Sequence, residues 1–402
     1  MTSDSAAPLF PFPDEQPLTP SARLAAFRRS ASPVRVRLPF GGGAWLVTRH
    51  EDARLVLSSP RFGRDAERAG IAPDGVPRMT PVDPVGANIA ALDPPDHTRV
   101  RGLVARVFTP RRVEALRPRI QGIAEELVEE MAAAGSPADL VDRLALPLPV
   151  EVICELLGVP SADRPRFRSW TDTLVDTSGR SPEAIGRALA DVDDYLLGLA
   201  VQRAGNPTDD LIGALARVRG PEGGLAVADL RALLRPLLIA GHDTTASQIA
   251  NFTYLLLRGG DYPRLAADPG LVPGAVEELL RYVPLLSIGS FPRFALADTD
   301  VGGVTVRAGE SVIVELSAAN RDPDVFEDPD TLDIGRGHNP HIGFGHGAHH
   351  CVGAALARTQ LRAALEALAR RLPGLALAGP PHRVRWREET FVRGPRELPV
   401  RW

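Results

Sequence analysis

The run FGHGAHHCVG, residues 344–353, sets a lone cysteine, Cys351, between a glycine-bearing loop and a stretch whose apolar spacing predicts a helix from about 353 to 371. A helix start offers unpaired N–H groups and the positive end of the macrodipole, and both favour a thiolate over a thiol. The glycines let the backbone bend closely around a bulky flat ligand. Cys351 is therefore a candidate metal ligand, although a buried structural cysteine accounts for the same residue. Five of the nine histidines (His338, His341, His346, His349 and His350) fall within this region, a density that also suits a zinc site. Only one cysteine is near them, and the spacing follows no common zinc pattern.

Three further runs carry chemistry. In EELLRY, 277–282, Glu278 and Arg281 stand three apart, so they share a helix face and can pair. Alone, such a pair is most often a solvated bridge worth little. AGHDTT, 240–245, lies inside a helical stretch over 227–257, where Gly, Asp and Thr are poor interior choices. Its polar side chains either back-bond to helix carbonyls or bind water and pass on protons, as general acid catalysis requires. In DPPDHTRVR, 93–101, His97 and Arg101 lie four apart on one helix face.

Taken together these runs resemble the cytochromes P450. The cysteine loop matches the family's F-G-x-G-x-H-x-C-x-G at every fixed position. The motifs keep the family's order, and the resemblance extends from the hairpin after residue 33 to the terminal FVRGPRELPVRW. It implies haem b with Cys351 as the axial iron ligand and Phe344 beside the sulfur. His97, Arg101, His349 and Arg293 (in FPRFALADTDVGG) then hold the haem propionates, a task suited to the planar fork of arginine. A thiolate ligand pushes electron density onto haem iron. Glu278 and Arg281 correspond to the family's E-x-x-R pair, which Arg336 of FEDPDTLDIGR joins as a third, structural member. AGHDTT resembles the oxygen-activation run, with Gly241 leaving a groove for O2 and Asp243 and Thr244 as an acid–alcohol proton relay. His242 then packs or bonds locally.

The implied activity is O2-dependent hydroxylation or epoxidation of an apolar natural product, such as a macrolide, terpenoid or cyclic peptide, in secondary metabolism. Two alternatives stand beside it: oxidative coupling or ring formation without oxygen insertion, and a non-catalytic haem or His-rich metal-binding protein. By analogy the substrate pocket draws on Met79, Ile89, Leu237, Ala240, Leu286, Ile288 and Phe391, each of which could equally be core. Residues 62–92 have little periodicity and are long for a loop, which marks a candidate substrate-access segment.

The elements that must position these residues read as mainly α with small peripheral β-sheets, in one domain over 1–402 with a loosely ordered arm over 1–32. Apolar residues at three- and four-residue spacing predict helices over 112–134, 141–157, 184–203 and 227–257. Residues 34–48 predict a hairpin, while 301–316 and 382–402 predict short strands.

Composition narrows the function. A net charge of -4 argues against a nucleic-acid or membrane-surface role, and all 46 basic side chains are arginine. No apolar run reaches the ~18 residues of a transmembrane helix, and the N-terminus does not read as a signal peptide. Two cysteines make no disulfide framework, which suggests a reducing compartment. The expectation is a cytoplasmic monomer. Beyond the haem domain no flavin or nicotinamide domain fits, so electrons come from NAD(P)H through partner proteins, which the resemblance identifies as ferredoxin and ferredoxin reductase. Arg99, Arg101, Arg106, Arg111, Arg112, Arg117 and Arg119, with Arg358 and Arg362, are candidates for a basic docking face. An ordinary solvated helix face accounts for them as well.

Overall fold

In a computed structural model the structure describes residues 7–13, 16–30, 32–78, 89–105, 108–175, 181–206, 208, 210–216, 227–286, 291–387 and 391–402, apart from the side chains of residues 110, 168, 171, 172, 174, 175, 182, 185, 216, 227–232 and 234–240. Helices dominate, and three of them frame the site. The longest, Val227–Gly259, packs against Pro147–Leu157 and Ala354–Arg371. Ala354–Arg371 also lies along Pro110–Ala134, and together they bury Ile120, Ile123, Val128, Leu361, Leu365 and Leu368. Pro110–Ala134 starts where the Thr109 side chain accepts the Arg112 N–H and proline takes the first position, whose N–H has no helical partner anyway. It stops at Gly135, at φ 95°.

The expected helix over 141–157 divides in two. Val141–Ala145 is π-helical, with the Leu146 N–H donating to Val141 O, and an α-helix restarts at Pro147–Leu157. Pro147 and Pro149 have no N–H to continue an i to i−4 ladder, so the wider turn takes up the break.

A five-stranded sheet lies to one side, in the order Val34–Arg37, Gly43–Val47, Ser311–Val314, Arg293–Ala295, Phe62–Gly63. Its first two strands are the expected hairpin, with Val34 opposite Leu46, and Leu46 pairs in parallel with Ile313. At the hairpin turn Gly41 has φ +80°, and a Cβ there would lie 1.9 Å from Val76 O, so only glycine fits. The described part of residues 1–32 is not loose. The backbone N–H of Phe10 donates to Arg37 O at 2.8 Å, and Phe10 and Phe12 are buried with Val36, Leu46 and Ile313. Two apolar aromatic rings in this segment are enough to seat it on the sheet.

At the other end of the chain, among the described residues of 382–402, strand structure is reduced to Pro399–Arg401 and single bridges at Leu286–Val392 and Trp386–Pro395. Pro395 and Pro399 cannot donate to a ladder, which explains the shortfall. No helix among the described residues is long and apolar enough to cross a membrane.

Candidate active site

The cysteine loop is held from below by a buried ionic knot. Glu278 and Arg281, both fully buried, sit on the helix Val272–Tyr282. Arg281 donates through Nε and Nη2 to both Glu278 oxygens at 2.7 Å, and Arg336 Nε donates to Glu278 Oε2 at 3.0 Å. Asn339 Nδ2 and the Asp333 N–H complete five hydrogen bonds to one carboxylate. Arg281 also donates through Nη1 to Asn320 O at 2.9 Å, and the Asn320 side chain accepts the Ile342 N–H at 2.8 Å. The knot therefore reaches the loop through Asn320.

Within the loop the Gly345 N–H donates to Ile342 O, and the Cys351 N–H donates to Phe344 O at 2.9 Å. Gly347, at φ +72°, lies so near Leu57 that a Cβ would fall 2.4 Å from its carbonyl oxygen. Cys351 is thus presented at the start of the helix Ala354–Arg371, as its sequence context implied. Its side chain is solvent-accessible, yet burial among protein atoms pushes its thiol pKa up. These agree if the sulfur faces a deep, reachable space. The Gly353 N–H and the charges of Arg101 and Arg358 act the other way and favour the thiolate.

Beside the cysteine lies a cluster of buried and half-buried donors. The His97 and His349 rings stack with centroids 4.1 Å apart. Arg101 Nη2 donates to His350 O at 2.5 Å, and Arg293 is buried at the start of its strand. Burial brings His349 down to about 2, helped by the charge of Arg293, and brings Arg293 down to about 10 against the pull of Asp93. Asp93 is itself engaged by the backbone N–H groups of Arg64 and Asp65. His97 Nε2 and Arg293 Nε are buried with no hydrogen-bond partner among the described residues. Buried donors are rarely left unpaired, so this cluster fits a ligand carrying carboxylates. A cysteine sulfur beside incompletely paired cationic and imidazole donors fits the donor set that haem requires.

Asp243 and Thr244 lie on the helix Val227–Gly259. Among the described residues, a Cβ added at Gly241 would meet only Ile153 Cδ1, at 3.9 Å. Asp243 is not a free carboxylate: Arg387 Nη1 donates to its Oδ1 at 2.7 Å, and Arg387 also bonds the Ser247 hydroxyl. Sequence reading missed Arg387, which comes from the C-terminal region 144 residues away.

Of the expected pocket residues, Met79 and Ile288 lie outside the described residues, as do the side chains of Leu237 and Ala240. Ile89 packs against the main core, half-buried. Leu286 bridges to Val392, and Phe391 stacks on Phe291 with centroids 5.2 Å apart. Phe291, not foreseen, is capped by the Arg64 guanidinium at 4.9 Å, and Arg64 also donates to Ala90 O and Pro292 O. This arginine ties the end of the access segment to the aromatic pair.

The expected basic docking face needs correction. Arg358 and Arg362 are ion-paired with Glu277, Arg117 with Glu114, and Arg119 with Glu155 and Glu126. Arg106 lies outside the described residues. The His341 side chain is buried and bonds the same Glu277 at 3.1 Å. Acidic partners at helical spacing or on neighbouring helices therefore offset much of the positive charge.

Comparison with known proteins places the chain in a family. The cytochrome P450 family model matches residues 270–373. Nocardicin C N-oxygenase of Nocardia uniformis subsp. tsuyamanensis is 48% identical over 394 residues, 98% of each chain. Mycinamicin IV hydroxylase/epoxidase of Micromonospora griseorubida is 46% identical, also over 98% of each. A crystal structure of the mixed-function P450 MycG superposes with a TM-score of 0.93 at 46% identity, covering 98% of this chain and 100% of that one. The chain belongs to the cytochrome P450 family. It is accordingly a monooxygenase that uses haem and O2 and receives electrons from a redox partner.

Proposed function

We propose that Cys351 would hold the haem iron through its sulfur and that the chain hydroxylates or epoxidises an apolar natural product of secondary metabolism, of macrolide, terpenoid or cyclic-peptide type. The observation that carries this reading is the pairing of Cys351, at a helix start, with the buried and incompletely paired donors of His97 and Arg293. When bound, haem supplies O2 activation for insertion into a C–H or C=C bond. His97, Arg101, Arg293 and His349 would hold its propionates, and the Glu278–Arg281–Arg336 knot fixes the loop that presents the sulfur. Asp243 and Thr244 would hold and pass protons, with Arg387 orienting the Asp243 carboxylate. Leu286, Ile89 and the Phe291–Phe391 pair contribute apolar pocket wall, with Met79, Leu237, Ala240 and Ile288 as further candidates.

The substrate assignment draws on the relatives named above, together with the aromatic pair and Leu286, which suit an apolar ligand. Electrons arrive from NAD(P)H through a ferredoxin and its reductase, with Arg111 and Arg112 as candidate contacts, since Arg99 is itself paired with Asp96 at 3.8 Å. Two unpaired cysteines accord with a cytoplasmic enzyme folded as one domain.

The test is the reduced, CO-bound spectrum of the haem-loaded protein. A thiolate-type Soret band in the wild type, lost in Cys351→His, is the expected result; a wild type without that band sinks the ligand assignment. Oxygen-18 from O2 in the product distinguishes insertion from oxidative coupling.

A further inference from the structure

Two adjacent carboxylates on the helix Val272–Tyr282 serve different parts of the cysteine loop. Glu278 is spent on the knot, while Glu277 collects three partners of its own. His341 Nε2 lies 3.1 Å from Glu277 Oε2, Arg358 Nε donates at 2.9 and 3.0 Å, and Arg362 Nη2 at 3.3 Å. His341 accepts the Gly343 N–H on its Nδ1 at 3.1 Å, so Glu277 steadies the loop where it begins. Arg358 lies on the helix that follows Cys351, and its guanidinium stacks on the Phe344 ring at 4.6 Å. Phe344 O in turn accepts the Cys351 N–H. One carboxylate thus touches the loop's entry and, through a stacked cation, the residue bonded to the cysteine backbone.

We propose that Glu277 is a positioning residue for the sulfur: it holds Arg358 flat on Phe344 and cancels a positive charge that would otherwise draw electron density from Cys351. The proposal rests on Cys351 being the iron ligand. Its physical basis is that Glu277 and Arg358 are each only about a quarter exposed, with side-chain exposures of 25% and 29%, so solvent screens the pair incompletely. Removing the Glu277 charge therefore leaves the Arg358 charge uncompensated beside the sulfur.

The experiment uses the haem-loaded protein at low ionic strength, without substrate, and reads two quantities: the reduction potential of the iron and the C–O stretch of the reduced CO complex. Glu277→Gln keeps the side-chain shape and removes the charge. It is expected to raise both quantities, because a net positive charge near the sulfur favours the reduced state and weakens donation from the thiolate. Arg358→Gln is expected to lower both. The double variant Glu277→Gln/Arg358→Gln is expected to return close to wild type, which a purely structural role for Glu277 would not produce. If Glu277→Gln fails to bind haem, the Arg358→Gln shift alone decides the matter. An unchanged potential in Arg358→Gln, or a double variant displaced further than either single one, overturns the proposal. A wild type lacking the thiolate-type CO band would instead overturn the ligand assignment on which it stands.

Discussion

Replacing Glu278 by glutamine tests the knot beneath the cysteine loop. The carboxylate is fully buried and accepts five hydrogen bonds, two on Oε1 (Arg281 Nη2 and the Asp333 N–H) and three on Oε2 (Arg281 Nε, Arg336 Nε and Asn339 Nδ2). A glutamine can place its oxygen on one side only. The other side then points an NH2 at donors, and two arginines lose their counter-charge. Arg281 is itself fully buried, so the penalty is that of breaking a buried ion pair by removing one partner, about 3–5 kcal/mol. With an unfolding entropy of about 2.1 cal/mol/K per residue, a 402-residue chain that unfolds as one unit should lose about 4–6 °C in Tm. The damage should also reach the cysteine, because Asn320 links the knot to Ile342. Differential scanning calorimetry gives Tm, and the reduced-CO spectrum gives the share of protein that keeps a thiolate ligand. A Tm within about 1 °C of wild type with full thiolate ligation would refute the argument that the knot supports the loop.

Glu277 makes stability depend on pH. Burial pushes its carboxyl up, but bonds from His341 and Arg358 and their charges outweigh this and bring it from 4.5 down to about 2. Because the folded value is depressed, its contribution of about 3 kcal/mol is complete above pH 4.5 and drains away as pH falls towards 2. The stability gap between wild type and Glu277→Gln in urea titrations should narrow steadily below pH 4.5, and a constant gap would count against the assignment. Cys154 is fully buried, and burial, aided by the charge of Glu151, pushes its thiol up to about 12. Iodoacetamide followed by mass spectrometry should leave it unlabelled until the protein unfolds; rapid labelling of the native protein would show the burial to be wrong. Arg387→Ala should release Asp243 from its orientation and raise the peroxide formed per O2 consumed, with turnover falling about tenfold or more if the relay depends on that carboxylate. Arg387→Lys should restore part of the loss, and unchanged peroxide yields in both variants would remove Arg387 from the relay.

What the sequence revealed was what is local. The glycine spacing before Cys351, the three-residue step from Glu278 to Arg281 and the four-residue step from His97 to Arg101 are set by loop and helix geometry, so a string of letters carries them. Arg336 was within reach because the surrounding Asp/Pro-rich coil resembles a known pattern. Glu277, Arg387, Asn320 and Arg64 escaped because each acts on a partner far along the chain, which no local period encodes. The EE doublet at 277–278 was the one available hint, since two adjacent carboxylates on a helix cannot serve the same face. Reading Arg358 and Arg362 as open cations failed for the same reason: their counter-charge lies 81 and 85 residues away. The N-terminal arm was misjudged by weighing its prolines over Phe10 and Phe12, which the sheet buries.

The parallel pairing of Leu46 with Ile313 also bears on how the chain is made. These residues are 267 positions apart, and at about 5–20 residues per second a ribosome needs roughly 13–53 s to pass from one to the other. For that time the first hairpin exists without its third strand, and Val36, Leu46 and the two phenylalanines before them have no Ile313 to lie against. A nascent chain with an open sheet edge and bare aromatic rings is prone to off-pathway association until the third strand arrives, the kind of exposure that chaperones cover. Slowing synthesis would lengthen that interval, so yields of folded protein should depend on chaperone supply and on translation speed before residue 313 more than on any codon after it.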